Sequence, residues 1–304
     1  MKAIRLAALI AVPAAFLLSA CAGGSSGIIG GGGGVPGQQG NVRFVNAYNG
    51  PGNATASYDI YFQSNGSASP SSPLIGALTY GEASDFKPLP NVSGSVIVQT
   101  AGGPAPSTSS PQITSCPVPQ FSNNTNYSIV IAYDLGVVNC ILFQDSNYNG
   151  SANQYRFHDA SHNAVTTIGG TVAQGVTSAP GVPGTSTFAV LGTTQIGTAA
   201  TQSGGATSYP VITPSTMAST AGVSFAIGPN SGATATATTT LDAQYLMLPG
   251  SNSQPNAGGS NNFTLPSGSY AGASIYAIDC GTAALPAGSH CVNGVGLIGV
   301  FDTH

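Results

Sequence analysis

QYRFHDASHNA, from Gln154 to Ala164, holds two of the chain's four histidines and an aspartate within five residues. It reads either as a metal site or as a strand, and an earlier stretch decides between them. In NVRFVNAYN, starting at Asn41, Arg43 aligns with Arg156, Phe44 with Phe157 and Ala47 with Ala160. The ends agree too: Cys140-Ile-Leu-Phe143-Gln-Asp145 resembles Leu297-Ile-Gly-Val-Phe301-Asp302. The chain therefore carries an internal repeat, 41–150 and 154–304. QYRFHDASHNA opens the second copy as a strand. On a strand, His158 and His162 share a side but stand about 13 Å apart at ~3.3 Å per residue. One ion does not bridge them unless the strand bends sharply after Ala160. His158 and Asp159 face opposite sides. A satisfied or solvent-exposed histidine pair is expected here, with no metal.

Outward from this stretch, strand signals are short and frequent. Tyr58, Ile60 and Phe62 alternate, as do Val96 and Val98, and Tyr127, Ile129, Ile131 and Tyr133. Val223, Phe225 and Ile227 follow, then Ile275–Ile278, then Leu297–Phe301. Gly, Pro, Asn and Ser clusters separate them. Helix signals are weak, because Glu, Lys and Arg are scarce and no long 3.6-residue period occurs. This pattern predicts an all-β chain built as a sandwich or barrel.

Of the 304 residues only 5% are charged, against roughly 25% in typical soluble proteins. Apolar content of 41% still suffices for cores, so charge-driven disorder is excluded. Beyond Lys2 and Arg5 the only Lys or Arg residues are Arg43, Lys87 and Arg156, too few for a basic patch, so nucleic acid is not an expected partner.

Residues 1–20 read as a secretory leader: Lys2 and Arg5 give a positive start, and Leu6–Leu18 an apolar stretch too short to span a bilayer comfortably. Leu18-Ser19-Ala20-Cys21 resembles the lipobox of bacterial lipoproteins, in which the cysteine is acylated and becomes the mature N-terminus. The resemblance implies membrane attachment through lipid on Cys21, each buried CH₂ contributing about 0.8 kcal/mol. Ala22, rather than Asp, after the cysteine implies the outer membrane if the host has two. Residues 21–40 form a glycine-rich tether spanning about 24 Å as a flexible coil. Gly23-Gly24-Ser25-Ser26-Gly27 in it satisfies G-x-S-x-G, but a nucleophile elbow needs a strand before the serine and a helix after it.

Four further cysteines, Cys116, Cys140, Cys280 and Cys291, suit disulfides in an exported protein. Three connectivities are possible. Cys116–Cys140 and Cys280–Cys291 are expected, since each pair lies within one copy. The spacing does not fit zinc.

Arg43-Phe-Val-Asn-Ala47, Tyr58-Asp-Ile-Tyr61, Leu78-Thr-Tyr-Gly-Glu-Ala-Ser-Asp-Phe86 with Leu89-Pro90, and Tyr127-Ser-Ile-Val-Ile131 together resemble a family of exported bacterial domains, domain of unknown function 4397. These segments cover the first copy well, although the family's opening histidine corresponds to Asn46 there and to Asp159 in the second copy, not to His158. The second matches at its first and last strands, and its middle, 165–220, has drifted. The resemblance implies two tandem immunoglobulin-like β-sandwich domains, 41–150 and 154–304. It transfers no catalytic residue.

Among possible sites, Asp145-Ser-Asn147-Tyr-Asn149-Gly150 matches the front half of a calcium loop. Calcium needs six or more oxygens, and the position of the bidentate glutamate holds Arg156, which repels the ion. Asp145, Asn147 and Asn149 are thus a weak calcium candidate, and an Asx-rich turn is the plainer reading. Glu82 and Asp85 read as a solvated turn rather than a glycosidase pair. Phosphate loops are excluded for want of G-K-[ST]. Tyr and Phe fall mostly at core-facing strand positions, and Trp is absent. The expectation is a lipid-anchored envelope protein with a structural or adhesive role, no catalysis and no cofactor. The alternative is a module that binds an envelope glycan or peptide.

Overall fold

The computed structural model describes residues 39–48, 56–107, 112–134, 137–145, 154–168, 172–177, 187–189, 192–194, 201–202, 224–230, 232, 234–236, 238–242, 270–280 and 291–303. Cys21, the leader, the tether, Asn147 and Asn149 lie outside them. The described chain is nearly all β, as its alternating pattern predicts.

In the first half, β1 (Gln39–Ala47), β4 (Lys87–Pro90), β7 (Asn126–Asp134) and β8 (Val137–Asp145) form a sheet ordered β4-β1-β7-β8. A second sheet runs β3-β2-β5-β6, from β2 (Ser57–Ser64), β3 (Ile75–Thr79), β5 (Gly94–Thr100) and β6 (Thr114–Val118). Strand alternation sends Val42, Phe44, Ile129 and Ile131 from one sheet against Tyr58, Ile60, Phe62, Val96 and Val98 from the other, closing a common core. Gly94 lies where a Cβ would come within 2.4 Å of the Gln63 carbonyl oxygen, so the strand passes its neighbour there only without a side chain. The Cys116–Cys140 disulfide ties β6 to β8, edge strands of opposite sheets, with Cα atoms 5.8 Å apart.

In the second half, β9 (Gln154–Ala160), β17 (Tyr270–Asp279) and β18 (Val295–Thr303) form a sheet ordered β18-β17-β9. It repeats β8-β7-β1: the leading strand pairs parallel with the middle one, and the middle one antiparallel with the last. The register repeats as well. Arg43 lies opposite Ser128, and Arg156 opposite Ser274. Asp145 lies opposite Asn126, and Asp302 opposite Gly272, two residues before the serine in each case. A five-stranded sheet, β13-β12-β10-β14-β16, is made from β10 (Val172–Thr177), β12 (Gly192–Thr194), β13 (Thr201–Gln202), β14 (Ser224–Pro229) and β16 (Thr239–Asp242). The short strands β11 (Thr187–Ala189) and β15 (Thr234–Thr236) pair separately. Cys280 and Cys291 are bonded, their Cα atoms 5.9 Å apart. Between them and β18, Asn293 and Gly294, at φ 53° and 78°, make the tight turn that residues of this type tolerate.

Two features differ from the sequence reading. The strand carrying the histidines stops at Ala160, and a helix, α1 (His162–Ile168), follows. Ser161 starts it: its Oγ accepts the Ala164 N–H at 3.0 Å, an N-cap that outcompetes continuation of the strand. His158 and His162 therefore do not share one strand.

The second difference is that the halves share a buried layer. Val45 and Ala47 of β1, Val130 and Ala132 of β7 and Phe143 of β8 point away from the first sandwich. They pack against Ala160, Tyr276, Ile278, Ile298 and Val300 of the second half. Strands β1 and β7 are thus apolar on both faces, like the central strands of a layered stack.

Candidate functional site

Within this shared layer sits a group of polar side chains. Alternation that sends Phe157 to the far face of β9 sends Arg156 and His158 into the layer, and β8 delivers Asp145 from the other half. His158 Nε2 lies 2.8 Å from Asp145 Oδ1, and Arg156 Nη1 lies 3.5 Å from the same oxygen. The imidazole direction is too bent for a straight hydrogen bond, so that contact is mainly charge and dipole. Ser128 Oγ donates to Asp145 Oδ2 at 2.7 Å and lies 2.8 Å from the Tyr276 hydroxyl. Arg156 Nε donates to Ser274 Oγ at 3.0 Å. The His158 ring stacks on Phe143 and tilts against Tyr276, centroids 4.6 and 5.1 Å away.

The Asp145 side chain and His158 are fully buried, and Arg156 is 8% exposed. Burial works to raise the Asp145 carboxyl. The neighbouring Arg156 and His158 and the hydrogen bond from Ser128 outweigh it and hold Asp145 below its ordinary value. A buried charge is tolerated here because it is paired.

Ser, His and Asp thus meet, but in an order that does not make a nucleophile. Ser128 donates to Asp145 rather than to His158, and Asp145 stands between them. A hydrolytic triad needs the histidine in the middle and an open face on the serine, and Ser128 is wholly buried.

Asp145, the first residue of the calcium candidate, faces this layer with both oxygens engaged rather than lining a loop. Its partners Asn147 and Asn149 lie outside the described residues. Arg156, read as repelling an ion, instead neutralises Asp145. Glu82 closes its own turn by accepting the Thr79 N–H at 2.9 Å. Among the described residues, no group of three His, Cys, Asp or Glu side chains is placed to hold a metal.

A second polar group lies where β9 meets α1. Asp159 Oδ1 accepts the Ser161 N–H at 3.0 Å, and Asp279 Oδ1 accepts both the Ser161 hydroxyl and the Asn163 N–H. Tyr80, from the first half, places its hydroxyl 3.5 Å from the Asp279 carbonyl oxygen. Asp159 is buried, and its Oδ2 has no hydrogen-bond partner.

Sequence reasoning missed the pairing of Asp145 with Arg156 and His158. The available signal was the recurrence of an arginine near the start and an aspartate near the end of each copy. The chain matches no protein-family model and no curated protein.

Proposed function

We propose that this chain is a lipid-anchored cell-envelope protein with a structural or adhesive role and no catalytic activity. It is held through Cys21 at the outer membrane, and its body is a divergent tandem pair of the domain of unknown function 4397 type, immunoglobulin-like in each copy. The observation that carries this reading is Leu18-Ser19-Ala20-Cys21, set after a charged start and an apolar run and before a glycine-rich tether. The buried Ser128, His158 and Asp145 support the absence of catalysis, because Ser128 donates to Asp145 rather than to His158 and all three are closed off from solvent. The shared layer supports a structural role, since a body joined by buried apolar contact transmits force better than one joined by a linker. Labelled palmitate should enter the wild-type protein and be lost on Cys21→Ser. Labelling that persists in the variant contradicts the anchor.

One observation favours binding to an envelope glycan or peptide as a second reading. Tyr48 stacks on Tyr58 and on Tyr133, centroids 5.5 and 6.0 Å apart. The outermost ring, Tyr133, is 48% exposed. Such a ladder offers an aromatic surface to a sugar face. Saturable signal on a glycan array, lost on Tyr133→Ala, would select this reading over the first.

A further inference from the structure

We infer that Asp159, buried beside the half-buried Asp279, is a proton-binding site, with the proton carried on Asp159, and that losing this proton loosens the junction of β9, α1 and β17.

The geometry begins at Ser161. Its N–H goes to Asp159 and its hydroxyl to Asp279, so two carboxylates converge on one residue. Asp159 is fully buried, and its second oxygen finds no donor. An isolated buried carboxylate costs far more than a neutral acid in the same place.

The first half shows what this position requires. Asn46 occupies the place in β1 that Asp159 occupies in β9, each one residue before the alanine of the aligned pair Ala47 and Ala160. It forms the same local turn, its Oδ1 accepting the Tyr48 N–H at 3.0 Å. Its Nδ2 then donates to the Leu78 carbonyl at 2.9 Å. The position thus takes a neutral side chain with one acceptor and one donor. Asp159 has that character only when protonated, with its hydroxyl in place of the amide group.

The titratable groups around the pair are few. Asp279 comes from β17, the Tyr80 hydroxyl from the first half, and His162 opens α1. Arg156 and His158 leave β9 on its opposite face and are engaged by Asp145. Burial pushes the Asp159 carboxyl up to about 7; the Ser161 N–H works against this, and the Asp279 charge adds to it. The folded value lies above the ordinary 3.8, so between roughly pH 4 and 7 the native state holds a proton that the unfolded chain has released. The contribution of Asp159 to stability is therefore greatest below this window, falls as pH rises through it, and levels off above about 7.

Asp159→Asn fixes the neutral form and provides the test. In thermal unfolding of the whole chain, the Tm of the variant minus that of wild type should widen by about 4–8 °C between pH 4 and 7, then stay constant. A difference independent of pH overturns the inference. Adding calcium chloride to wild type at pH 8 should leave Tm unchanged. A saturable rise that the variant lacks would make the pair a cation site and overturn it equally. If the variant does not fold, infrared spectra of wild type decide. A protonated-carboxyl carbonyl band should be present at pH 6 and gone at pH 9, and its absence at pH 6 contradicts the proposal.

Discussion

Asp145 holds the most consequential single charge in the shared layer. Removing it by Asp145→Ala leaves Arg156 and His158 buried without their carboxylate, and breaking a buried pair this way typically costs about 3–5 kcal/mol. Urea unfolding at pH 7 should show the loss, whereas Asp85→Ala, in a loop, should change little. The pH dependence of Asp145 runs opposite to that of Asp159. Its folded pKa is depressed below 3.8, so its contribution is complete above the ordinary carboxylate range and fades as pH falls through the lowered value. None of this could be read from Asp145 in sequence. Its neighbours Asn147, Asn149 and Gly150 look like a calcium loop because local spacing says nothing about which way a strand end faces. Arg156 is eleven residues further on, yet reaches Asp145 from another sheet. His158 was expected to be satisfied or exposed; it is buried against the partner half, because β9 alternates and the side that carries it is the packed one.

At the scale of elements, most strands were legible and their surroundings were not. Tyr58, Ile60 and Phe62, or Tyr127, Ile129 and Ile131, announce one buried face by period two. The other face of β7, with Ser128, Val130 and Ala132, is apolar enough to be buried as well, and that second burial is what builds the shared layer. Period-two reading assigns a strand one inward face and stops there. Helix α1 was missed because its seven residues are too short to show a period; only Ser161, a capping residue, marked its start. The disulfide between β6 and β8 makes a separable prediction. It closes a loop with a sequence separation of 24 and joins edge strands of opposite sheets, beside the hydrogen bond from Thr114 Oγ1 to the Val138 carbonyl. Replacing Cys116 and Cys140 together by Ala should lower stability by about 2–4 kcal/mol, measured by chemical unfolding under oxidising conditions. Replacing Cys280 and Cys291 releases a shorter loop, with a sequence separation of 11, and should cost less.

At the scale of the whole molecule, the repeat seen in Arg43/Arg156 and Asp145/Asp302 corresponds to a repeated three-strand arrangement, and these two arrangements lie against each other. Buried apolar contact combined with an internal ion pair makes the halves thermodynamically dependent. The shared layer removes freedom between the two halves. Differential scanning calorimetry of the whole chain at neutral pH tests this most directly. Wild type should show a single transition with equal calorimetric and van't Hoff enthalpies, splitting or broadening in Asp145→Ala. Two separate transitions in the wild-type protein, unaffected by Asp145→Ala, would contradict it.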